Sequence, residues 1–138
     1  MERNFKVKWA GADRFIGTSG SGHSMVIDGS KETAMSPMEL LLLSAGSCAC
    51  IDLIMILKKT RQKVVDAWVE VGGERREELP KYYTDIEMHF VVKGMDIKEH
   101  HVKRAIDLAM EKYCSASAQL AALANIKTSY DIIEAYTP

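Results

Sequence analysis

Residues 5–9 (F-K-V-K-W) alternate apolar and charged side chains, the period of a strand with one buried face. Residues 15–18 and 23–28 are two further short strand patterns, with Gly17, Gly20 and Gly22 at the turn between them. A small β meander is predicted. Ser36-Pro37-Met38-Glu39 then reads as a helix start. Serine caps, proline suits the first helical position, and Glu39 three residues on completes a capping box. The helix is predicted to run to Lys59 or Thr60. No charge falls between Leu40 and Ile51, so this helix is apolar nearly all round and needs cover on every side or a membrane. Ser44, Gly46, Ser47 and Asp52 interrupt the run of about 20 apolar residues that a span requires, so a buried central helix is expected and no membrane partner.

Residues 64–72 and 83–92 return to strand patterns, joined by the charged connector 74–80 (E-R-R-E-E-L-P), which can extend both as a long hairpin. Residues 98–113 form an amphipathic helix pattern with Val102, Ile106 and Ala109 on one face. Residues 116–124 form a second, alanine-rich helical stretch, and 128–136 close the chain as a strand. Strands and helices come in groups, which predicts an α+β fold with an antiparallel sheet, read as one domain over residues 1–138. A helix apolar on all sides is hard to cover with 138 residues. A homodimer is therefore expected, with a second copy supplying the missing cover.

Composition narrows the partners. Eighteen basic against nineteen acidic residues give a net charge of −1, with no electrostatic footprint for nucleic acid. The first residues contain no apolar run of a signal peptide, and three cysteines are too few for a disulfide scaffold. A cytoplasmic protein is expected, whose cysteines are either inert in the core or chemically used.

Cys48 sits mid-helix within S-A-G-S-C-A-C-I-D. Cys50, two residues on, is rotated by about 200° and so cannot pair with it. Cys114 falls where one helical pattern ends and the next begins, in reach of a helix N-terminal dipole that favours a thiolate. Spacing alone does not bring Cys48 and Cys114 together. The four histidines and three cysteines show no zinc spacing, so no metal or cofactor is expected. Gly17–Gly22 is a hairpin turn rather than a phosphate loop, since no lysine and helix follow it.

The run Ser36-Pro37-Met38-Glu39-Leu40-Leu41 with Ala45-Gly46-Ser47-Cys48, and later Glu111-Lys112-Tyr113-Cys114-Ser115, resembles the two cysteine motifs of the OsmC/Ohr family. The charged segment Gly73-Glu74-Arg75-Arg76-Glu77 and the closing strand point to its OsmC-like branch, nearest the YhfA type. The resemblance implies an intertwined α+β homodimer, its antiparallel sheet wrapped around long central apolar helices. It further implies a cysteine peroxidase, in which Cys48 attacks an organic hydroperoxide and Cys114 condenses with the resulting sulfenic acid. An external dithiol of the lipoyl type then reduces the disulfide. The alternative is a non-catalytic dimer that binds a small apolar or thiol ligand in the same pocket.

The family activates its thiol with a glutamate and an arginine. Met38 stands where the Ohr type has its glutamate, and Glu39 matches a second acidic position, where it also serves as the capping-box residue. Arg14 is the candidate arginine of the N-terminal strands, with Arg75 and Arg76 as fallbacks. Asp52 lies one turn beyond Cys48 on the same face, where its charge opposes a thiolate, and Ser115 replaces the usual proline.

Overall fold

In a computed structural model of the chain, residues 1–136 are described, and they fall into two compact units that divide between Leu41 and Leu42. In the first, β1 (Lys6–Trp9), β2 (Arg14–Thr18) and β3 (Ser24–Asp28) form an antiparallel meander in that order. Its register sets Trp9 opposite Phe15 and Phe15 opposite Ile27. Gly22, at φ 89°, supplies the left-handed residue that the β2–β3 turn needs. Beyond β3 the buried Asp28 carboxylate organises the loop. It accepts hydrogen bonds from the backbone N–H and hydroxyl of both Ser30 and Thr33, at 2.6 to 3.0 Å. Four donors on one carboxylate hold its pKa well below the ordinary range, led by the Thr33 hydroxyl.

Helix α1 runs from Pro37 to Lys59, as its start signals predicted. The capping box is closed: the Ser36 N–H donates to Glu39 Oε1 at 2.9 Å and the Glu39 N–H donates to Ser36 Oγ at 3.2 Å. In the second unit, α1 buries a stripe of Ala45, Gly46, Ala49, Leu53 and Leu57. Gly46 is there because a Cβ would come 2.7 Å from Val71 Cγ2 and 3.3 Å from Val69 Cγ1 of the sheet. Within a single copy the helix is not buried all round. Leu43, Ile51 and Met55 stay exposed, because one three-stranded sheet covers only one side of a cylinder. By length and composition alone α1 is apolar enough to cross a membrane.

That sheet is β4 (Lys63–Arg75), β5 (Tyr83–Met95) and β6 (Asn125–Glu134), in the order β4-β5-β6. The β4–β5 hairpin extends into the charged connector as its sequence allowed. Arg75 Nε donates to the Lys81 carbonyl at 2.6 Å and Arg76 Nε to the Pro80 carbonyl at 2.7 Å, holding the tip closed. Ile86, Met88, Phe90 and Val92 of β5 alternate inward and form the core. One pairing departs from the antiparallel expectation, because β6 runs parallel to β5. The reason is the connection: α2 (Glu99–Leu108), a π turn (Ala109–Tyr113) and α3 (Ser115–Ala121) carry the chain back to the starting end of β5. His89 ties the parallel pair by bonding Ser129 Oγ at 2.7 Å and Asp131 Oδ2 at 3.0 Å, the role of a strand histidine.

Candidate functional site

Two devices deliver the cysteines. Cys48 rides on α1, two residues past the glycine that lets the helix press onto β4, and it is partly exposed. Cys114 follows the π turn, whose wide ring closes when the Cys114 N–H donates to the Ala109 carbonyl at 2.7 Å. The backbone then becomes extended, with φ −73° and ψ 98°, and Cys114 caps α3. Its sulfur accepts from the Ser117 N–H at 3.4 Å and lies 2.9 Å from Ser117 Oγ. Both Cys114 and Ser117 are buried.

The structure brings Cys48 and Cys114 together. Their sulfurs and a carboxylate oxygen of Asp52 all lie within 4.8 Å of one another. Asp52 Oδ2 is buried and is the one such side-chain oxygen without a hydrogen-bond partner among the described residues. Sequence reasoning placed Asp52 on the Cys48 face of the helix but left Ser117 unmentioned. The small polar residue three positions after Cys114, at capping distance, was the signal that could have found it.

The expected thiolate at Cys114 is corrected. Burial pushes its pKa up, the Ser117 donors pull it down, and the Cys48 thiol beside it pushes it up again. Desolvation prevails over a helix of only seven residues, so Cys114 is held as a thiol. Burial also raises the pKa of Cys50.

Of the groups expected to activate the thiol, Glu39 and the two hairpin arginines make local contacts. Glu39 belongs to the first unit, and the bonds with Ser36 hold its carboxyl below the ordinary pKa. Arg14, also in the first unit, opens β2 opposite Asp28 and is exposed. Arg75 and Arg76 close the hairpin tip, with the Arg76 guanidinium 4.2 Å above the Tyr82 ring.

A two-sheet α+β fold, with one thiol on a long apolar helix and a buried thiol capping a short one, defines a class of small thiol proteins. A family model described as OsmC-like protein matches residues 29–129. Protein YhfA of Escherichia coli K12 is 47% identical over 131 residues, covering 94% of this chain and 98% of its own. A crystal structure of a hypothetical protein from Aquifex aeolicus VF5 is 34% identical, covering 99% of this chain and 100% of that one, with TM-score 0.88. An organic hydroperoxide resistance protein OsmC from Legionella pneumophila shares the fold at 14% identity, covering 94% and 97%, with TM-score 0.70. The chain belongs to the OsmC-like family.

Proposed function

We propose that the protein is a thiol-dependent peroxidase that reduces organic hydroperoxides. The observation that carries this reading is the convergence of a partly exposed Cys48 with a buried Cys114, their sulfurs within 4.8 Å. A peroxide reaches the first sulfur, and the second waits as a thiol. The Cys48 thiolate attacks the outer peroxide oxygen, the O–O bond breaks, and the alkoxide takes a proton to leave as an alcohol. Cys48 is left as a sulfenic acid. Cys114 then gives its sulfur to Cys48, and water departs with the sulfenic oxygen and the thiol proton. An external dithiol of the lipoyl type returns both thiols.

The same reading assigns the protein to the cytoplasm as a homodimer. The apolar side chains of Leu43, Ile51 and Met55, exposed on α1, support a second copy as their cover. One equivalent of cumene hydroperoxide should yield a Cys48–Cys114 disulfide on peptide mapping, and Cys48→Ser should abolish turnover with dihydrolipoamide. Trapping at Cys50 instead, or turnover untouched by Cys48→Ser, sinks the assignment.

Asp52 favours a second reading. Its buried carboxylate oxygen, without a hydrogen-bond partner and on the residue beside the two sulfurs, suits a non-catalytic dimer that holds a small apolar or thiol ligand in this pocket. That reading expects no peroxide turnover and saturable protection of Cys48 from alkylation by the ligand.

A further inference from the structure

We propose that the reduced chain binds one zinc ion between the Cys48 sulfur, the Cys114 sulfur and an Asp52 carboxylate oxygen. Three groups that become anionic ligands converge from α1 and the cap of α3, every pair within 4.8 Å. On a tetrahedral ion two sulfurs at about 2.3 Å stand about 3.8 Å apart, and a sulfur and an oxygen at about 2.0 Å about 3.5 Å apart, so the cluster has to contract by no more than about 1.3 Å to close on it. A buried carboxylate oxygen with no donor aimed at it is the second indication. A polar atom in that position is expected to have a partner, and a cation supplies one.

The donor set selects the ion. Two thiolates favour soft metals and disfavour magnesium or calcium, while the carboxylate favours zinc over monovalent copper. Ser117 already bonds the Cys114 sulfur through its N–H and hydroxyl, and both bonds serve equally well when that sulfur is a metal ligand. Three protein ligands leave a fourth position for water or an added thiol, and the partial exposure of Cys48 gives the ion its path in. Binding is not a redox step. The ion enters, two thiols each lose a proton to solvent, and the ionised carboxylate completes a site of net charge −1. The proposal does not rest on peroxide chemistry, because it concerns the reduced protein in the absence of oxidant.

The test is an anaerobic titration of the reduced, full-length protein with Co2+, followed by Zn2+. One equivalent of Co2+ should produce thiolate-to-cobalt charge-transfer absorption and intense visible bands of tetrahedral geometry. Zn2+ should then bleach both, and direct Zn2+ binding should release two protons per ion. Cys48→Ser and Cys114→Ser should each remove half or more of the charge-transfer intensity, and Cys50→Ser should change nothing. Asp52→Asn, nearly the same shape, should weaken Zn2+ binding by about tenfold or more. A protein that takes up Co2+ without charge-transfer absorption binds it at histidines, which overturns the proposal. So does a band that Cys48→Ser leaves at full intensity, or an affinity that Asp52→Asn leaves unchanged. Peroxide turnover, measured separately on metal-free protein, can fail without touching this result.

Discussion

The two sheets of this molecule are built from similar alternating strands and treat their apolar side chains in opposite ways. In β4-β5-β6 the inward side chains of β5 are sealed, and Phe90 is 0% exposed. In β1-β2-β3 the same kind of side chain lies open, with Val7 at 68% and Trp9 at 66%. Strand periodicity states that a face is apolar but not what covers it. The second sheet carries its own helices, and the first is a meander whose buried polar anchor is Asp28.

Mutations should separate the two sheets by size of effect. Phe90→Ala leaves a cavity in the sealed core and should cost about 3–5 kcal/mol in urea unfolding. A cost below 1 kcal/mol would erase the contrast. Gly46→Ala drives a methyl into Val71 and should cost about 1–3 kcal/mol, with slower Cys48–Cys114 disulfide formation as α1 lifts from β4. Ser36→Ala removes the helix cap and should cost about 1 kcal/mol. Glu39→Gln keeps the box, so a fall in peroxide turnover with that variant would show that the Glu39 charge acts in the chemistry.

Asp28 offers a pH signature of the first sheet. Its folded pKa lies below the unfolded value, so its contribution is complete above about pH 4 and fades as pH falls further. The stability gap between wild type and Asp28→Asn should therefore narrow on acidification below that point. A gap that widens reverses the assigned sign. The smallest effect belongs to Val7→Ala, which should stay within about 0.5 kcal/mol at high dilution. A larger loss that grows with protein concentration would mean that a second copy covers the first sheet.

Much of this was legible in the sequence. The capping box fixed the start of α1, and alternation at residues 5–9 with strand patterns and turn signals elsewhere found the six strands of the described residues, because these signals are local. The direction of β6 was not legible, since it depends on where a crossover delivers the chain. That α1 would keep an open side in one copy followed from chain length, but which residues it exposes did not, because composition reports apolarity around a helix and not which side a sheet covers. The pairing of Cys48 with Cys114 came from resemblance to a family, and their distance from the fold. The behaviour of Cys114 escaped a dipole argument because desolvation is set by neighbours remote in sequence.

The π turn before Cys114 has a consequence best put in terms of insertion and deletion. A π turn is an α-helical turn carrying one residue too many, and each residue advances a helix by about 100°. The π turn already absorbs that surplus, so one more residue inserted between Ala109 and Tyr113 would not be absorbed and would swing everything beyond it by that angle. Cys114 would keep its chemistry and its neighbours in sequence, yet point away from Cys48. The aim of this thiol is thus stored as a residue count, which makes the segment far less tolerant of length changes than of substitutions.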